Sequence, residues 1–161
     1  MVYRNMLVLT LTLVLISTTS WAGDFDARIP MTRADSGSYH VEGSFAGSVA
    51  ASFLVDTGAG MSVIEHGLLK RLREVSEVAL SRRIAARLAN GEIQAVNVYR
   101  VEGFTIGAGC EIGAVEVAVM RGSGNILGLN ALEKLAPFAL HLTSPSLAVS
   151  HCGPANLLSL N

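Results

Sequence analysis

Apolar residues recur mostly at every second position of this chain, in short runs broken by Gly, Asn, Ser and Pro. Period two is the mark of strands with one buried face. From Tyr39 to Phe45 one side carries Tyr39, Val41, Gly43 and Phe45, and Gly47-Ser48 turns the chain into a second run, Val49–Val55. The two runs predict a hairpin. Beyond Ile64 the period changes: Glu65 to Leu72 has helical spacing, with an acid in its first turn. The segment Val75–Leu80 fits either more helix or a linker.

Ile84, Ala86 and Leu88 alternate up to Asn90-Gly91, and alternation resumes from Ile93 to Val101. Asn-Gly between alternating runs predicts a long hairpin over Arg83–Tyr99 with a type I′ tip. Phe104–Ile106 and Ala114–Met120 read as further strands around a Gly107–Gly113 loop. Arg121–Gly124 is a turn, and Asn125-Ile126-Leu127-Gly128 is a short apolar strand ending on glycine. Asn130 is placed to cap a helix reaching Leu135, which Pro137 closes. A last hairpin pairs Phe138–Leu142 with Ser146–Ser150, and Pro145 sits in its turn. Near the start, Ala27–Thr32 makes a short edge strand marked by Pro30, and Arg33–Ser38 a turn. Many short strands with two short helices imply a mostly β fold, either a small barrel or an orthogonal sandwich.

Composition narrows this picture. Half of the 161 residues are apolar and 16% are charged, which excludes a disordered chain and suits one domain. Aromatics are few, so the core is expected to rest on Val, Leu, Ile and Ala. The net charge of −1 gives no bulk attraction to nucleic acid, and Arg82, Arg83 and Arg87 read as a solvated face.

Residues 1–22 read as an export signal. Arg4 precedes an apolar run from Met6 to Ile16, and Ser20-Trp21-Ala22 fits a cleavage site. The run is too short to span a bilayer, so no stable membrane span is expected after cleavage. The exported chain, periplasmic or secreted, would then hold 11 basic and 13 acidic residues once Arg4 is gone. It divides into an N-terminal segment (23–38), a domain (39–152) and a tail (153–161). Cys110 and Cys152 both lie in the exported part, where an isolated pair is often a disulfide; two free buried thiols are the other reading.

Asp56 is the residue that a stability argument does not explain. It ends the apolar run Phe53-Leu54-Val55 and precedes the small residues Thr57-Gly58-Ala59-Gly60. Burying a carboxylate there costs several kcal/mol unless hydrogen bonds or protonation relieve it. Other chemistries lack residues. Gly-x-Ser-x-Gly and His-Glu-x-x-His are absent, and His40, His66, His141 and His151 are too dispersed for a metal set. No metal or cofactor is expected.

The run Leu54-Val55-Asp56-Thr57-Gly58-Ala59 resembles the active-site motif of aspartic proteases, and Ile126-Leu127-Gly128 is similar to that family's second apolar-apolar-glycine element. With the glycine-tipped hairpin between them, the chain looks like a single-lobe, retropepsin-like protease of the exported bacterial type. The resemblance implies a small closed β-barrel with one or two short helices, binding peptide or protein substrate. It makes Asp56 the catalytic carboxylate, with Thr57 bonding across to a partner loop, Gly58 admitting backbone N–H groups, and Ala59 kept small. Ala89, Asn90 and Gly91 become a flap over bound peptide, and Ile126, Leu127 and Gly128 pack beneath the catalytic loop.

The family's mechanism needs two acids. Asp35-Ser36-Gly37 also matches Asp, Ser or Thr, Gly, but Arg33-Ala34 precedes it where apolar residues are required, and it reads as a turn. The second acid must come from another copy, which makes a C2 homodimer the expected active form. The rival reading is a catalytically inactive, peptide-binding module of the cell envelope.

Overall fold

The alternating runs become strands, and the strands close on themselves. The computed structural model describes residues 25–153; the expected export signal and residues 154–161 of the expected tail lie outside the described residues. In chain order the elements are β1 (Ala27–Pro30), β2 (Thr32–Arg33), β3 (Tyr39–Phe45), β4 (Val49–Val55), β5 (Ser62–Glu65), α1 (His66–Val75), β6 (Ala79–Arg87) and β7 (Ile93–Ile106). They continue with β8 (Cys110–Met120), β9 (Ile126–Leu127), α2 (Leu129–Leu132), a 3₁₀ turn over Glu133–Leu135, β10 (Phe138–His141) and β11 (Ser146–Val149).

The larger sheet runs β2-β3-β4-β9-β5-β8-β7-β6, and an additional β3–β7 pairing bends it into a small, partly closed barrel. That closure occurs through Phe45↔Phe104 and Gly43↔Ile106. The smaller sheet, β1-β11-β10, is antiparallel throughout and is made wholly within the chain. Cys110 at the start of β8 is disulfide-bonded to Cys152, just beyond β11.

Phe45, Phe53 and Phe104 meet at the centre with ring centroids 4.2–5.9 Å apart. Each is essentially inaccessible to water. Burial of each ring contributes about 2–3 kcal/mol, so the trio centres a core that otherwise rests on Val, Leu, Ile and Ala, as composition implies. Gly43 lies beneath them; a Cβ there would stand 2.9 Å from the Phe104 ring. A second, smaller apolar cluster forms around Val63, Val96, Val98 and Ala118. It uses the opposite face of strands whose other side fills the main core, such as Ile64, Val117 and Val119.

Several expectations change in physical detail. β7 is one continuous strand through Ile106, so the Gly107–Gly113 loop shrinks to a turn before Cys110. Gly103, at φ +62°, is a bulge within β7 and accepts a hydrogen bond from Ala46 N–H. The bulge lies where one edge of the strand passes from β6 to β3, closing the ring, while the other edge stays on β8. The hairpin tip is not type I′: only Gly91 has positive φ, and Leu88 N–H bonds to Glu92 O across a three-residue loop. Asn90 stays out of the left-handed region because its Oδ1 accepts the Glu92 N–H at 3.0 Å. Paired positive φ appears at Ala46-Gly47 instead, which moves the β3–β4 turn one residue earlier than expected.

Glu65 also differs from expectation. It ends β5 and stands at the N-cap of α1, outside the helix's first turn, and its carboxylate accepts the Gly124 N–H at 3.1 Å. Asn130 lies inside α2, whose N-cap is Gly128. Its side chain serves the neighbouring strands.

Candidate active site

The residues 56–61 form a loop strung between β4 and β5, and β9 clasps both ends of it. β9 runs parallel to β4 (Leu54↔Ile126, Val55↔Leu127) and antiparallel to β5 at Val63↔Ile126. Two-residue β9 is therefore paired on both edges. Asp56 N–H donates to Leu127 O at 3.1 Å, and Leu54 N–H donates to Asn125 O at 2.9 Å. On the far side of the loop, Leu129 N–H reaches Ala59 O at 2.8 Å and Asn130 N–H reaches Gly60 O at 3.3 Å.

Two asparagines bracket β9 and satisfy the polar groups the loop would otherwise strand. Asn125 Oδ1 accepts the Glu65 N–H at 3.0 Å, and its Nδ2 donates to Ser52 O at 3.3 Å. Asn130 Oδ1 accepts both the N–H of Ser62 (2.7 Å) and its hydroxyl (2.9 Å), while Asn130 Nδ2 donates to Glu116 O at 2.8 Å. Ser62, the one buried polar side chain among the described residues, accepts the Gly128 N–H at 3.1 Å. Unmet buried polar groups cost about 1–3 kcal/mol each. Asn130→Ala is therefore expected to lower unfolding free energy by about 2–3 kcal/mol, read as a reduced urea midpoint at unchanged m-value.

The clasp leaves Asp56 half-buried at the rim, with Thr57 and Gly58 exposed and Ala59 half-buried. Gly58 N–H donates to Asp56 Oδ1 at 2.8 Å, which aims one carboxylate oxygen by a backbone donor. Leu127 and Gly128 pack under the loop, while Ile126 points to the smaller apolar cluster. Asp35 is elsewhere: it is exposed in the turn before β3, which Gly37 N–H closes onto Ala34 O at 2.8 Å.

β6 and β7 form a ribbon whose tip, Ala89-Asn90-Gly91, is exposed. At its root Arg82 and Ser81 both hydrogen-bond Glu116 of β8. The Arg82 hydrogen bond, with Ser81 second, holds the Glu116 carboxyl below the usual carboxylate range.

The smaller apolar cluster adjoins this loop, since Met61 and Ile126 both belong to its border. Ile84 and Ala86 carry it onto the ribbon, and Met120 onto β8. Periodicity did not single out these residues as a site. Their signal is the unbroken apolar run Val117-Ala118-Val119-Met120, which marks a strand covered on both faces. Together they make an apolar wall that joins the loop of the oriented carboxylate to the two-stranded ribbon.

Residues 41–134 match the family described as gag-polyprotein putative aspartyl protease, a span that takes in the Asp56 loop, the ribbon and β9. The chain belongs to the retropepsin-like aspartic protease family. In fold, this retropepsin-like chain is similar to a retropepsin-like aspartic protease from Rickettsia conorii, at a TM-score of 0.57 and 21% identity. That match covers 76% of this chain and 89% of the other. The retroviral protease-like domain of Ddi1 from Leishmania major matches at a TM-score of 0.48 and 20% identity, over 74% of this chain and 96% of that domain. No curated protein matches the chain.

Proposed function

We propose that the protein is an exported aspartic-type endopeptidase that works as a homodimer, with Asp56 of each copy forming the catalytic pair. The observation that carries this reading is the rim position of the oriented Asp56 carboxylate, flanked by exposed Thr57 and Gly58. Two copies meeting there would bring two carboxylates together, and groups that close cannot both ionise, so they hold one proton between them. The ionised partner takes a proton from water as that water attacks the scissile carbonyl carbon, and the protonated partner gives its proton to the carbonyl oxygen. Collapse of the tetrahedral intermediate breaks the C–N bond, and the leaving amine takes up a proton.

The ribbon tip, Ala89 to Gly91, would close over an extended substrate and exclude water, with the apolar wall receiving its side chains. The export pattern of residues 1–22 and the Cys110–Cys152 bond support action in an oxidising compartment.

Peptide-library cleavage by residues 23–161 at several pH values, with sedimentation in parallel, tests the proposal. Cleavage should be strongest in mildly acidic solution and should track the dimer fraction. Full activity from a monomer, or a flat profile to about pH 9, would overturn it. The unpaired outer edge of β6 favours one rival, a module that binds peptide by strand addition without cutting. Peptide binding by a protein that cleaves nothing in the library would establish that rival.

A further inference from the structure

The root of the β6–β7 ribbon carries a second concave surface, which shares Val96 and Met120 with the apolar wall. Where the ribbon leaves the barrel, a hollow of about 580 Å³ opens against α1 and the end of β8. Its lining includes His66 and Arg73 from α1, Arg83 from β6, Gln94 and Asn97 from β7, and Arg121 just after β8. Buried apolar side chains such as Val119 line it as well. Asp56 is not among its residues, and no aspartate or glutamate lines it.

Glu116 pairs with Arg82 and Glu102 with Arg100, and Glu65 accepts the Gly124 N–H. Arg73, Arg83 and Arg121 have no ion pair among the described residues. Arg73 lies over the Tyr99 ring at 5.2 Å from its centroid, a contact that fixes the guanidinium without neutralising it. Three like charges around one concave surface repel one another, in a protein whose net charge is only −1. An anion would relieve that repulsion.

The volume and the mixed lining select the class of anion. The hollow falls within the size range of small-ligand sites and far exceeds the volume of a lone phosphate. Gln94 and Asn97 offer amides suited to a peptide main chain, and the apolar lining suits side-chain stems. We propose that this hollow binds an acidic polypeptide segment, and that it holds acidic residues of the substrate lying outside the part that enters the cleft. The substrate half of this statement rests on the peptidase reading, and the binding half does not. Because Arg83 is on the ribbon and Arg73 and Arg121 are on the body, the bound segment bridges the two.

Fluorescence anisotropy with the Asp56→Asn form of residues 23–161 tests binding free of turnover. The probe is a labelled peptide with a run of about four glutamates, compared with its glutamine analogue. The acidic peptide is expected to bind about tenfold tighter at low salt and to lose that advantage as salt rises. Arg83→Gln with Arg121→Gln should cost about tenfold in affinity, and Arg83→Glu with Arg121→Glu should bind the lysine version of the peptide instead. These side chains are exposed, so circular dichroism should remain that of the parent.

Equal binding of the acidic and neutral peptides, or an unchanged affinity in the double variant, would overturn the proposal. So would displacement by a single-stranded oligonucleotide of equal charge at equal or lower concentration. In the parent protein an acidic extension should lower KM and leave kcat unchanged. A protein that binds the acidic peptide yet cleaves nothing refutes the peptidase reading alone. One that cleaves short neutral peptides yet ignores the acidic run refutes the hollow alone.

Discussion

Asp56→Asn is expected to leave a folded protein whose peptide cleavage is slower by at least about 10³-fold. Asparagine fills the same space, and its Oδ1 can still accept the Gly58 N–H that orients the side chain. What it cannot do is take a proton from water or hold one for the carbonyl oxygen. A proton-transfer group contributes about 10²–10⁴-fold, and in a homodimer one substitution removes both copies. The loop contacts are backbone bonds from Asp56 N–H to Leu127 O and Ala59 N–H to Asp56 O, so thermal unfolding should be close to that of the parent. Titrating excess Asp56→Asn into the parent should also quench activity, because mixed dimers hold a single acid. Cleavage by the variant at the parent's rate would end the mechanism proposed here.

Gly128→Ala should be the most damaging small substitution in the clasp, lowering stability by about 3 kcal/mol and activity with it. The backbone at Gly128 (φ −89°, ψ 177°) suits any residue, so conformational freedom is not the reason for glycine. Space is. A Cβ there would stand 2.5 Å from the carbonyl carbon of Met61, 2.6 Å from its oxygen and 2.8 Å from Ser62 N. All three are main-chain atoms, which no rotamer change can move. Relief requires the Asp56 loop to withdraw from β9, which breaks the Gly128–Ser62 hydrogen bond and shifts Asp56. Gly67 in α1 makes the matching control, since a Cβ there meets nothing within 4 Å. Gly67→Ala should stabilise by about 0.5–1 kcal/mol through helix propensity, and denaturant titration of the two variants separates space from propensity.

How far the sequence revealed this arrangement varied with the kind of contact. β3 and β4 appear at the expected residues because each buries one face, and period two records that directly. The extent of β7 was hidden because Glu102-Gly103 reads as a break, whereas a glycine bulge carries the strand around the corner. The hairpin tip was placed correctly along the chain but given the wrong turn, since Asn90 uses its side chain to bond Glu92. In the site, the Asp56 loop and β9 were visible as motifs. The polar pins were not: Asn130 looked like a cap, and Ser62 bonds residues more than 60 positions away. Long-range hydrogen bonds leave no periodic trace. The cationic hollow was equally hidden, because Arg73, Arg83 and Arg121 lie on three separate elements.

The small sheet formed by β1, β11 and β10 bears on how two such subunits could come together. Its terminal strands are paired inside one chain, Ala27↔Val149 through Pro30↔Ser146, so neither is left over to exchange with a partner. Among the described residues, the small sheet of such a subunit is complete before it meets its copy. Association then becomes the docking of two completed bodies, reversible by dilution without melting either. For the proposed dimer, local concentration acts as the on-switch: cleavage at low concentration rises with the square of the protein present, and a solitary molecule stays silent while fully folded.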